Sequence, residues 1–130
     1  MSDKLPPKRK KFCYLGPPAI YILELECKHI NKAFDSYGFF LVGSVLERPD
    51  FRDVDIRLIM EDAKFEQLFP NAGPAYWEFD PRWLIMNISI SEYLSKKCGY
   101  HVDFQIQKAS HANSTHKGAR EAIGMNFSSE

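Results

Sequence analysis

Two aspartates one residue apart, Asp53 and Asp55, open the run Asp53-Val54-Asp55-Ile56-Arg57-Leu58-Ile59-Met60. In an extended chain residues i and i+2 project to the same face. The two carboxylates therefore stand together, while Val54 and Ile56 turn to the core. Carboxylates this close repel, and a proton or a bound cation relieves the repulsion. A hard divalent ion such as Mg²⁺ suits them, because it takes one or two carboxylates and completes its shell with water and phosphate oxygens. Upstream, Gly43-Ser44 closes another apolar run, Phe39-Phe40-Leu41-Val42. Gly43 allows close approach to the backbone, and Ser44 offers a hydroxyl and an N–H. Turn amides of this kind form anion-binding concavities. A phosphate cradle followed by a metal-holding acid pair implies chemistry on a nucleoside triphosphate.

These residues need particular elements to hold them. The spacing predicts a strand over Phe39–Val42, a tight turn at Gly43-Ser44, a polar loop and a second strand from about Arg52 to Met60. A third strand is expected over residues 100–107, with Val102, Phe104 and Ile106 on one face and His101, Asp103, Gln105 and Gln107 on the other. Asp103 then lies on the polar face that meets the acid pair, whereas Gln107 reads as solvated. Arg57 shares the face of Asp55 and is the obvious internal neutraliser. Arg48 and Arg52 flank the cradle and would grip phosphate oxygens in a guanidinium fork, or else pair with Asp50, Glu47 or the acids.

Around this centre, residues 18–37 read as an amphipathic helix, with Pro18 at its start and Gly38 as its C-terminal cap. Ile20, Leu23, Cys27, Ile30, Phe34 and Tyr37 form its apolar face, with Cys27 as a small buried hydrophobe, Glu24 and Lys28 outside and His29 at the surface. A short helix capped by Asp62 is expected over 62–69. Residues 70–79 read as a surface loop whose Tyr76, Trp77 and Phe79 pin it to the body. Residues 81–98 alternate locally like a strand at Asn87-Ile88-Ser89-Ile90-Ser91, but Asp80-Pro81 and Gly99 mark helix ends, so the expectation is a helix with Trp83, Met86, Ile90, Tyr93 and Leu94 inward. The stretch after Lys108 is read as a polar tail.

Gly43-Ser44, then eight residues, then Asp53-Val54-Asp55-Ile56 resembles the signature of the DNA polymerase β-like nucleotidyltransferase superfamily. The resemblance covers roughly residues 38–124 and is nearest to small phage- and actinobacterial-type nucleotidyltransferase-like proteins. It departs from the aminoglycoside-type and minimal two-component branches, since Val45-Leu46-Glu47-Arg48 follows the turn and Arg52 precedes the first acid; substrates are not carried over from those branches. The resemblance implies an α+β fold, a small mixed β-sheet with helices packed on one face. It implies Asp53, Asp55 and Asp103 as catalytic residues and ligands of two Mg²⁺ ions, with Mn²⁺ as a substitute. It also implies nucleotide contacts from Gly43, Ser44, Arg48, Arg52, Asn113 and Arg120, and transfer of a nucleoside monophosphate from an NTP to a hydroxyl on a small molecule, a protein or an RNA end. A catalytically inactive nucleotide-binding or protein-interaction module, of a toxin–antitoxin or defence type, is the alternative.

Composition sets wider bounds. At 130 residues the chain suits one domain over residues 13–130, preceded by an arm, 1–12. Seventeen basic residues balance seventeen acidic ones, so no overall field recruits nucleic acid. The bases cluster in the arm, Lys4, Lys8, Arg9, Lys10 and Lys11 against Asp3, which reads as a solvated tail rather than a nucleic-acid contact. Cys13, Cys27 and Cys98 are too widely spaced for a zinc site or disulfide framework. No apolar run is long enough for a membrane helix, and a reducing cytoplasm is the expected setting. The partners expected are an NTP, an acceptor, and a second copy or partner protein completing the acceptor site.

Overall fold

A computed structural model describes residues 13–34, 38–71, 80–115 and 120–124. The expectations placed on the basic arm, Tyr37, Tyr76, Trp77 and Phe79 lie outside these residues. Helix α1 (Ala19–Phe34) leads to strand β1 (Gly38–Val42), a 3-10 turn (Gly43–Leu46) and strand β2 (Asp53–Met60). Helices α2 (Asp62–Leu68) and α3 (Pro81–Cys98) follow, then β3 (His101–Lys108), α4 (Ala109–Thr115) and β4 (Glu121–Ile123). The strands form one mixed sheet in the order β3-β2-β1-β4, with β2 parallel to β3 and β1 antiparallel to both β2 and β4. The expected α+β class, a small sheet with helices against it, is what forms.

The core lies on the face carrying Phe39, Leu41, Val54, Ile56, Leu58, Val102, Phe104 and Ile106, all buried, with Leu23 and Cys27 of α1, Phe65 of α2 and Trp83 and Leu94 of α3 packed into the same cluster. Alternation along β1, β2 and β3 supplies one half of this core and helical spacing the other. The Cys27 thiol is pushed far above the usual thiol range by burial, as expected of a packing residue rather than a nucleophile.

Helix α3 is the element on which local pattern and outcome diverge most usefully. Its ends are as expected: Asp80 Oδ1 accepts from the amides of Arg82 (2.8 Å) and Trp83 (3.3 Å), and Gly99 takes a left-handed conformation, φ 85°. Its polar residues at four-residue spacing, however, face the open edge of β3. Ser95 Oγ accepts from Val102 N (2.8 Å), Ser91 Oγ from Phe104 N (2.9 Å) and Asn87 Oδ1 from Ile106 N (2.9 Å), while Trp83 Nε1 donates to Ile106 O (2.8 Å). Four residues of helix rise about 6 Å and two residues of strand about 6.6 Å, so the two rows stay in step. A helix thus takes the bonds that a further strand would have taken, and closes an edge otherwise open to pairing.

Several boundaries and roles differ from the sequence reading. Gly38 opens β1 instead of capping α1. Asp62 makes no cap; it is the first residue of α2, and its carboxylate is held below the usual carboxylate range by hydrogen bonds from the Ser110 side chain and, at 3.0 Å, from the Ser110 amide. Tyr93 is exposed and donates to Glu26, tying α3 to α1. Gln107 is not solvated: it is 4% exposed and donates to Gln105. The polar tail contains both α4 and β4; Ala112 is fully buried, and Arg120 lies with its guanidinium carbon 5.7 Å from the Phe40 ring centre.

Candidate active site

The second sheet face, opposite the core, carries the candidate residues. Parallel register sets Asp53 against His101, Asp55 against Asp103 and Arg57 against Gln105. On the other side of β2, Val42 pairs with Asp55 and Phe40 with Arg57. Toward Met60, β2 is buried on both sides, with Ile59 and Arg57 enclosed; toward Asp53 it is open, with Asp53 exposed and Asp55 half-buried. The acids therefore sit where a covered face gives way to solvent.

Beyond Val42 the chain turns at Gly43, φ 79°, into the 3-10 turn, where the Glu47 and Arg48 amides both donate to Ser44 O at 2.9 Å. Val45 anchors the turn in the core, and the Tyr14 amide donates to its carbonyl at 2.8 Å. A side chain at Gly43 is strained by the positive φ, and its Cβ, 2.6 Å from Asp55 Oδ2, would displace the Asp55 carboxylate. The turn backbone and the Asp55 carboxylate are thus in direct apposition, the two halves of the expected chemistry side by side.

The three aspartates do not share one environment. Asp55 and Asp103 are direct cross-strand neighbours, whereas Asp53 Oδ1 lies 3.0 Å from His101 Nδ1. Among the described residues no three His, Cys, Asp or Glu side chains converge as a metal-holding group. Arg57 donates its shorter bonds to main-chain oxygens, Asp103 O at 2.8 Å and Ile56 O at 3.0 Å, and reaches Asp103 Oδ2 only at 3.5 Å. The Asp55 carboxyl is raised above the usual carboxylate range, first by burial and then by the Asp103 and Asp53 charges, with Arg57 and His101 opposing. Arg57 opposes this rise without cancelling the effect of burial. That donor chemistry fits one hard cation held by Asp55 and Asp103; engaging Asp53 as well requires its release from His101.

The outlying candidates are dispersed. Arg48 pairs with Asp50 at 3.2 Å, the surface alternative to a phosphate contact. Arg52 is exposed just before β2. Asn113 and Arg120 meet each other, Arg120 donating to Asn113 Oδ1 at 2.8 Å and to Ala112 O at 3.1 Å, over the Phe40 that neighbours Arg57. His101 went unassigned in the sequence reading; its signal was its position two residues before Asp103, on the same strand face.

Comparison with protein-family models, with curated proteins and with solved structures gives no match to this chain.

Proposed function

We propose that the protein is a metal-dependent nucleotidyltransferase that moves a nucleoside monophosphate from an NTP to a hydroxyl-bearing acceptor. The observation that carries this reading is the apposition of the Gly43 turn to Asp55, itself the cross-strand neighbour of Asp103. Mg²⁺ bound to these carboxylates would neutralise triphosphate charge and polarise the phosphorus under attack. Gly43 and Ser44 bind and orient the outer phosphates through backbone amides and a hydroxyl. Asp55 and Asp103 would hold the cation that draws the α-phosphate to the turn, and Asp103 receives the proton of the attacking hydroxyl. Arg57, bonded to the Asp103 carbonyl, keeps β3 in register with β2 at this point. Most of the rate gain comes from positioning and charge neutralisation, as in phosphoryl transfer generally.

A non-catalytic nucleotide- or partner-binding module is the second reading, favoured by the Arg57–Asp103 and His101–Asp53 pairs, which give two of the three acids a partner within the chain. Titration calorimetry with each NTP, with and without Mg²⁺, separates the two when joined to transfer of label from an α-labelled NTP. Catalysis requires Mg²⁺-dependent nucleotide binding and transfer that Asp55→Asn, Asp103→Asn and Gly43→Ala each reduce by at least ~100-fold, the scale of losing a group that stabilises transition-state charge. Transfer that survives both aspartate changes refutes the assignment.

A further inference from the structure

On the far side of β3 from Asp55, a groove of about 350 Å³ runs between α3 and the strand. Leu84, Ile88 and Glu92 line one wall, and His101, Asp103 and Gln105 the other. Leu84 is 46% exposed and Ile88 51%, so the α3 wall is an open apolar strip. The ionisable lining among the described residues is Glu92, Asp103 and His101, with no lysine or arginine. Asp103 belongs both to this groove and to the acid pair. Across the molecule the order is therefore phosphate turn at the end of β1, Asp55 on β2, Asp103 on β3, then groove.

In-line displacement at phosphorus needs the attacking and leaving oxygens on opposite sides of the phosphorus atom. With the outer phosphates at the Gly43 turn, the attacking hydroxyl must come from the opposite side of the carboxylate pair, where the groove lies. We infer that the groove is the acceptor site, and that the acceptor is a small uncharged or cationic molecule bearing a hydroxyl and an apolar face. This rests on the nucleotidyltransferase reading. The volume lies within the range of small-molecule sites. A lining with two carboxylates and, among the described residues, no lysine or arginine repels a phosphodiester chain and favours a neutral or positive ligand, since the Arg57 that meets Asp103 lies outside the groove lining. In the step itself the acceptor oxygen forms a bond to the α-phosphorus, and the bond from that phosphorus to the bridging oxygen breaks. Pyrophosphate leaves with the electron pair, and the hydroxyl proton passes to the Asp103 carboxylate.

The test is amide NMR of the full chain with four additions: Mg²⁺–ATP, phenyl β-D-glucoside, tyramine, and a short oligoribonucleotide with a free 3′-hydroxyl. Shifts at Gly43 and Ser44 with Mg²⁺–ATP, and at Leu84, Ile88 and Glu92 with the glucoside or tyramine, support the inference. In Ile88→Lys and Glu92→Lys, both surface changes that leave the core intact, binding of those two probes should weaken by roughly tenfold, the scale of one pocket contact. If the turn responds to Mg²⁺–ATP but neither small probe moves the groove, the acceptor site falls and the nucleotide reading stands. Oligoribonucleotide shifts along the groove overturn the acceptor class. No response of the turn to Mg²⁺–ATP removes the nucleotide reading, and the acceptor site with it.

Discussion

Asp55 shows how a single side chain can be kept at a cost to stability. Its carboxyl is raised by burial and by neighbouring charges, so the folded protein holds a proton more tightly than the unfolded chain. For a group raised on folding, stability is greatest at low pH and falls as pH rises from the ordinary aspartate value, about 4, through the raised one. Asp55→Asn removes this penalty. The variant should melt a few degrees above wild type at pH 7 without divalent ions, and the gap should shrink as the pH approaches about 4. On the proposed reading, added Mg²⁺ should raise the wild-type Tm and leave the variant unmoved, because the substitution removes a carboxylate of the proposed ion site. Thermal melts across pH, with and without Mg²⁺, check both halves; a variant less stable than wild type at pH 7 contradicts the account.

At the scale of the element, α3 contributes more than an apolar face. Its four-residue row of Trp83, Asn87, Ser91 and Ser95 bonds main-chain groups along the edge of β3, and so holds the strand that carries Asp103. Asn87 is buried and bonds at both ends, accepting from Ile106 N and donating to Trp83 O at 2.7 Å. Asn87→Ala leaves a buried strand amide and a helix carbonyl short of partners, at a cost of about 2 kcal/mol. Denaturant unfolding should report that loss, with hydrogen exchange quickened first at Ile106. Ser89→Ala, at an exposed position of the same helix, should change little. In the sequence, Asn87 to Ser91 alternates as a strand does, while the length of the segment and the caps at Asp80 and Gly99 argue for helix. Length and caps carry the helix; that its polar row replaces a strand is a fact of docking.

Across the whole molecule, the fold is closed by residues distant in sequence. The Gly124 amide donates to Glu24 Oε1 at 2.8 Å, and a Cβ at Gly124 would lie 2.6 Å from Cys27 Cβ and 2.7 Å from the Lys28 amide nitrogen. Gly124 also has a φ of 68°. Gly124→Ala must move helix backbone, so a loss of about 2–3 kcal/mol is expected, with β4 parting from β1; urea unfolding together with exchange at Ile123 measures it. What the sequence determined alone was local. Alternation defined β1, β2 and β3 and which of their residues face the core, caps defined α3, and parity placed Asp53, Asp55, His101 and Asp103 on one sheet face. Tertiary structure decided the rest, because a strand's partners and register depend on contacts that no short stretch contains. Parallel pairing of β2 with β3 set Asp55 rather than Asp53 against Asp103, sent Arg57 chiefly to main-chain oxygens, and laid the Gly43 turn against a carboxylate. A polar tail without strong periodicity became α4 and β4 only because the sheet offered a free edge and a surface to cover.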